Sequence, residues 1–257
     1  MLIICVANLK GGVGKTTTAI NIAAAMQRMG KKVLLVDADP QANMSEALGV
    51  REERVKSLFS ELSKVIKGET EDLADVVIQT QSGLYLVPSS IELAGAELEL
   101  VSVYGREQVF TWLLEKLKDQ FDFVFIDCPP AIGMLTVNAL VASDFILIPM
   151  QAEYLPMKGL HVFMQHLKTI KRLNDKLEVL GYVLTRYDER KIMNRQIYHL
   201  LEQEFGDKVF QTHIRTNIQL AKAQEAGTDI FHFDKHSNGA RDYEALTREF
   251  LIKINKN

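Results

Sequence analysis

Lys10-Gly11-Gly12-Val13-Gly14-Lys15-Thr16-Thr17 has the composition of a loop that holds phosphate. Its glycines let backbone N–H groups crowd around phosphate oxygens, and Lys15 brings a compact cation to the β and γ oxygens. The Thr16 hydroxyl stands where it would ligate Mg²⁺. The generic pattern G-x-x-x-x-G-K-[ST] is not met, because Leu9 occupies its first glycine position. Lys10 is therefore an addition to the minimal loop. From the near side of the glycines it either bends over its own loop or reaches outward to a neighbour's nucleotide.

Three carboxylates complete the chemistry. Asp127 follows the apolar run Phe123–Ile126 and precedes Pro129-Pro130, the Walker B position from which a carboxylate holds Mg²⁺, usually through its water. Asp37 and Asp39 end a second apolar run together, just before Pro40. The bland alternative for that pair is two turn formers or helix N-caps. Phosphoryl transfer asks for charge neutralisation and an aligned water more than for covalent chemistry, and this set of residues suits that demand.

The elements that must position these groups can be read from the apolar runs. Strands are expected at residues 2–8, 32–37, 84–88, 122–127, 145–149, 178–185 and 208–211. Helices are expected at 16–29, 55–67, 91–101, 106–119, 135–142, 158–173, 191–205, 218–226 and 241–255. Several strands are β-branched runs without alternation, as in a sheet covered on both faces. The expected fold class is α/β: a doubly wound, mostly parallel sheet with helices on both faces, of P-loop NTPase type. In such sheets ligands bind beyond the carboxyl ends of the strands, where the loop and the three carboxylates gather.

The loop resembles the deviant Walker A motif of the ParA/MinD family of ATPases. The resemblance continues through Val33–Asn43, Phe121–Pro130, Thr136-Val137-Asn138, Gln151-Ala152-Glu153-Tyr154 and Ser237–Tyr243, in family order over almost the whole chain. It is nearer to the ParA/Soj partition branch than to the others. The resemblance implies that Lys10, Gly11, Gly12, Val13, Gly14, Lys15, Thr16 and Thr17 bind the nucleotide, with Lys10, Lys15 and Asp39 catalytic. Asp39 would orient the attacking water. Thr16, Asp37 and Asp127 would form the Mg²⁺ site, Asp37 as a support of the metal shell. Lys10 would cross a two-fold interface to the partner subunit's phosphates, making a homodimer that forms with ATP and loosens after slow hydrolysis.

The base is read less fully. Where the family has Ile-Pro-Arg-Asn, this chain has Ile214-Arg215-Thr216-Asn217. Asn217 either offers its amide to adenine or is simply the N-cap of the next helix. The resemblance also implies that the ATP dimer binds non-specific DNA. Arg190 and Lys191 fall at the place of one family arginine, a second family arginine falls on Gln219, and Arg215 and Lys222 lie nearby as substitutes.

Bulk properties narrow the setting. The chain has 257 residues, of which 47% are hydrophobic and 25% charged, enough for a sizeable core. No linker, charge block or repeat interrupts it, so residues 1–257 read as a single deviant Walker A ATPase domain. With the loop starting at residue 10, no N-terminal helix-turn-helix domain is expected. A net charge of −3 gives no global attraction to nucleic acid, so DNA binding needs a local basic surface. Only Cys5 and Cys128 are present, read as two small buried residues. That excludes the bridged metal cluster of the nitrogenase iron proteins and the exposed cysteine pairs of metal-chaperone relatives.

No apolar run is long enough to span a bilayer, and no basic amphipathic tail follows the last helix. The expectation is a cytoplasmic, nucleoid-associated ATPase with no membrane contact, segregating DNA with a ParB-like centromere-binding protein. The alternatives are a nucleoid-bound positioning ATPase for a protein cargo, or a MinD-like membrane-associated division-site regulator.

Overall fold

A computed structural model describes residues 1–50, 56–152 and 156–256. Val55, Glu153, Tyr154 and Asn257 of the readings above lie outside the described residues.

Among the described residues eight strands form one sheet: β1 (Leu2–Val6), β2 (Val33–Asp37), β3 (Ile78–Gln79), β4 (Tyr85–Val87), β5 (Phe123–Asp127), β6 (Phe145–Gln151), β7 (Glu178–Tyr187) and β8 (Ile214–Arg215). Their order is β3-β4-β2-β5-β1-β6-β7-β8, and every pairing is parallel except β3 with β4. The helices are α1 (Lys15–Arg28), α2 (Asn43–Ala47), α3 (Leu58–Lys67), α4 (Leu93–Glu99), α5 (Val109–Glu115), α6 (Met134–Ala142), α7 (Pro156–Ile170), α8 (Ile192–Phe205), α9 (Ile218–Glu225), α10 (Ile230–Asp234) and α11 (Asn238–Ile254).

The apolar runs without alternation have a simple cause. In β1, β2 and β5 alternate residues enter two separate cores. Cys5, Leu34, Val36, Val124 and Ile126 join the core under α3 to α8. Ile4, Val6, Val33, Leu35, Phe123 and Phe125 join the core under α1, α2 and α9 to α11. With both faces covered, no position on these strands tolerates a polar side chain until the strand ends. The expected doubly wound α/β fold is the one found.

Packing locks the last helix to the first. Tyr243, Leu246, Phe250 and Ile254 of α11 are buried, while Leu251 beside them is half-buried. Phe250 meets Phe125 with ring centroids 5.6 Å apart. The Tyr243 hydroxyl lies 3.2 Å from Thr18 Oγ1 on α1.

Several boundaries differ from expectation. The strand expected at 208–211 is absent: Gly206–Lys208 is a 3-10 turn and Val209 makes only an isolated bridge to Tyr182. The last strand is the two-residue β8, displaced to Ile214–Arg215. The helix expected at 91–101 is α4 followed by a 3-10 turn at Leu100–Ser102, and that expected at 106–119 is a 3-10 turn followed by the shorter α5. The short elements β3, α2 and α10 were not anticipated.

Candidate functional site

Parallel pairing brings the polar strand ends into one row. Asp37 pairs with Asp127, Asp127 with Val6, and Gln151 with Thr185, all at the carboxyl edge. Between β1 and α1 runs the glycine loop. Gly12 and Gly14 take φ of 73° and 87°, a left-handed backbone that only glycine adopts at little cost. Helix α1 begins directly from Gly14 with no side-chain cap and no acidic residue in its first turn. By contrast α9, α10 and α11 are capped by Asn217, Asp229 and Ser237. The uncapped amides of α1 are free to bind an anion.

The loop is fastened from beneath and beside. Gln151 Nε2 donates to Gly12 O at 2.8 Å, and Thr185 Oγ1 donates to Val13 O at 2.8 Å. Asn8 Nδ2 donates to Pro149 O at 2.8 Å, and its Oδ1 accepts from Lys10 N at 3.0 Å. Neither Gln151 nor Thr185 was assigned a role from the sequence. Gln151 ends β6 and pairs with Thr185 near the end of β7, a proximity that emerges only when the strands are aligned.

The carboxylates lie on the β2–β5 side of the loop. Asp127 Oδ2 accepts from Thr16 Oγ1 at 2.6 Å, while Asp127 Oδ1 is buried without a hydrogen-bond partner among the described residues. Burial, with the charge of Asp37 added, pushes the Asp127 carboxyl up to about 8, against the pull of Thr16 and Lys15. Asp37 is buried too, and burial pushes it up to about 7 although the Ser45 hydroxyl and amide donate to Oδ2 at 2.7 and 2.8 Å. Ser45 also accepts from Ser89 N at 3.0 Å, and Ser89 Oγ donates to the Asp39 carbonyl at 2.6 Å. Asp39 is 7% exposed and takes one hydrogen bond on Oδ1, from Gln41 N at 3.0 Å. Sequence reasoning missed Ser45 and Ser89, which tie Asp37 and Asp39 together.

These residues test the fit of a divalent cation. An orphaned, buried carboxylate oxygen beside a threonine hydroxyl, in a cluster of mutually repelling acids, is what a hard cation stabilises. Among the described residues no group of three or more His, Cys, Asp and Glu side chains forms a protein-only metal cage. Mg²⁺ fits that pattern, because it takes one or two carboxylates and fills its octahedron with waters and phosphate oxygens.

Over the loop opens a cavity of about 1180 Å³, lined among others by Gly11, Gly12, Gly14, Lys15, Thr16, Thr17, Asp39, Arg186 and Gln224. It is wide enough for a nucleotide with room beyond it. Val13, Asp37 and Asp127 are buried and do not line it. Lys10 is exposed and outside the lining, whereas Lys15 is 7% exposed within it. Asn217 also lies outside the lining; its Oδ1 accepts from Gln219 N at 2.8 Å, which is the N-cap geometry.

The basic residues assigned to DNA are partly engaged, and two of them, Arg190 and Arg215, line one cleft beside Tyr187 and His213. Arg190, Lys191, Arg215 and Lys222 are all exposed. Arg190 donates to both oxygens of Asp188, at 2.9 and 3.0 Å, and Arg215 Nη2 reaches Asp242 at 2.6 Å. These guanidiniums reach phosphate only by sharing or leaving their acids. Cys5 and Cys128 are buried free thiols with sulfurs 3.3 Å apart, and the hydrogen bond with Cys5, together with burial, pushes the Cys128 thiol well up.

A family model described as an AAA domain matches residues 1–179. The chain is 39% identical over 249 residues to the sporulation initiation inhibitor protein Soj of Bacillus subtilis, covering 96% of this chain and 97% of that one. It is 40% identical over 247 residues to the chromosome-partitioning ATPase Soj of Treponema pallidum, covering 96% and 95%. Among solved structures, cobyrinic acid a,c-diamide synthase from Mycobacterium smegmatis, with bound ATP analogue and magnesium, superposes with a TM-score of 0.84 at 32% identity, covering 99% and 96% of the two chains.

Proposed function

This chain belongs to the ParA/Soj family of partition ATPases, and from that premise we propose that it is a nucleotide-dependent dimerisation switch. The cavity takes ATP with Mg²⁺, as the solved relative with an ATP analogue and magnesium supports. The loop amides from Gly11 to Thr17 and the Lys15 ammonium hold the β and γ phosphates. The Thr16 hydroxyl and the orphaned Asp127 oxygen hold Mg²⁺, with Asp37 behind them. When bound, Mg²⁺ neutralises charge on the phosphate oxygens. Asp39 accepts a hydrogen bond from a water and aims its lone pair at the γ phosphorus. As that P–O bond forms, the bond to the bridging oxygen of ADP breaks, and the water's proton leaves with the phosphate or to solvent.

The observation that carries the switch is the division between two lysines. Lys15 is enclosed by its own loop, while Lys10 is exposed and outside the cavity its loop builds. A loop cation that its own cavity does not use suits the phosphates of a second copy across a two-fold axis. ATP then joins two protomers, and hydrolysis, kept slow until a partner stimulates it, releases them.

The dimer places two copies of Arg190, Lys191, Arg215 and Lys222 on one face, which lets a chain of net charge −3 bind non-specific DNA. A ParB-like centromere-binding protein triggers turnover, and the ATP dimer resides on the nucleoid. Residues 1–257 act as one ATPase domain, and the Asn217 amide, whose nitrogen the cap leaves unused, contacts adenine. The test is Lys10→Ala followed by light scattering. The variant should bind ATP yet remain monomeric; a normal ATP-dependent dimer would count against the switch.

A further inference from the structure

Arg186 stands at the edge of the nucleotide cavity with an unusual backbone. Among the described residues only Ala42 and Arg186 are non-glycine residues with positive φ, 52° and 49°. Both line the cavity. A left-handed backbone disfavours residues with a Cβ and persists only where the surroundings fix it, most often at ligand sites. At Arg186 the fixing is visible. The ladder between β7 and β8 shifts register between Thr185 and Tyr187, so Arg186 is the extra residue of a bulge. Its neighbours are buried and held. Thr185 is bonded to Val13 O, and Tyr187 stacks on His213 with ring centroids 4.2 Å apart. The bulge turns the exposed side chain between them to the cavity.

The sheet order says which end of a nucleotide lies there. β5 and β2, with Asp127 and Asp37, flank β1 on one side, and β6, β7 and β8 follow on the other. A triphosphate with its terminal phosphates against Lys15 and the carboxylates sends its nucleoside the opposite way, past Thr17. At that point Gln224 Nε2 donates to Thr17 Oγ1 at 3.0 Å, and Gln224 lines the cavity together with Arg186. The Arg186 guanidinium makes no hydrogen bond or ion pair with a described residue, unlike Arg190 and Arg215. It is a planar cation held at the nucleoside end.

We propose that Arg186 is a specificity-determining residue that selects a purine by laying its guanidinium plane on the base. The assignment rests on the nucleotide reading of the cavity given above and deepens it. An extended purine face offers a guanidinium more stacking area than a pyrimidine, and a lysine at the same place would keep the charge without the plane.

Calorimetric binding of ATP, UTP and inorganic tripolyphosphate, each with Mg²⁺, to wild type, Arg186→Ala and Arg186→Lys tests it. Wild type should prefer ATP to UTP. Arg186→Ala should bind ATP about tenfold more weakly, bind tripolyphosphate as wild type does, and lose most of the preference. Arg186→Lys should show the same loss of preference. The unchanged tripolyphosphate affinity also reports that the loop is intact. If tripolyphosphate weakens as much as ATP, the residue is a phosphate contact and the assignment fails; it fails equally if ATP binding is unchanged. A wild type that binds none of the three would instead remove the nucleotide reading itself, and the assignment with it.

Discussion

On the β2–β5 side of the phosphate loop the carboxylates are buried and held by neighbours; beyond β7 the cations are exposed, and Arg190 and Arg215 are paired with acids. Asp37 is gripped by Ser45 and pushed up to about 7 by burial, and Asp127 is pushed up to about 8 with one oxygen unpartnered. On the far side the exposed Arg190 holds the Asp188 carboxyl down to about 2. Arg215, half exposed, lies against Asp242. The first arrangement stores an electrostatic demand that a proton or a bound metal cation relieves. The second is already satisfied and is worth little to stability. A chemical centre must be incomplete without its ligand, whereas a docking surface can wait in a neutralised state until a stronger polyanion competes.

That contrast can be broken at its buried end first. Asp39→Ala leaves the loop amides, Lys15 and the Asp127–Thr16 contact intact. ATP hydrolysis should fall by ~10²-fold or more while nucleotide affinity stays near wild type, measured by phosphate release and calorimetry. Hydrolysis at the wild-type rate would make Asp39 a turn residue only. The exposed end is probed by reversing Arg190 and Lys191 to glutamate. With ATP, gel shifts at two salt concentrations should show loss of binding to duplex of any sequence, since each phosphate-neutralising cation contributes about one unit to the salt slope. ATP dimerisation should persist. Undiminished binding would move the DNA face elsewhere on the dimer.

The smallest effect separates the two plans most finely. Asp242→Asn removes the charge that occupies Arg215 and replaces one of its two acceptor oxygens by an amide donor. Asp242 is buried and holds the Arg215 amide as well as its guanidinium, so urea denaturation should register a loss of about 1–2 kcal/mol. If Arg215 belongs to the DNA face, affinity for duplex should rise severalfold; an unchanged affinity would leave Arg215 a structural partner of α11.

Legibility followed the same division. β1, β2 and β5 could be read to within two residues because burial on both faces forbids polar side chains until the strand ends. β8 was misplaced because Val209 and Phe210 are apolar and buried without forming a strand, while Ile214–Arg215 is too short to show a pattern. The five-residue α2 and α10 carry barely more than one turn, too little for periodicity. The glycines, Lys15 and Thr16 were visible as a motif since phosphate binding constrains residue type and spacing together. Ser45 acts from α2 on the end of β2, and Gln151 and Thr185 act through the pairing of β6 with β7, which spacing along the chain does not encode. The arginines showed their charge but not their partners, since Asp242 lies 27 residues from Arg215.

The central place of β1 has a consequence in time. Its sheet neighbours are β5 and β6, and the helix that follows its loop is closed by Tyr243, 225 residues after Thr18. At ~5–20 residues per second, ribosomal synthesis leaves the loop waiting on the order of ten seconds or more for those partners. Until then the glycines have no strand ends beneath them and no bond from Gln151 or Thr185. Nascent chains should therefore gain the ability to hold nucleotide late and all at once, so that a truncated product is unable to occupy the partner's place in a dimer.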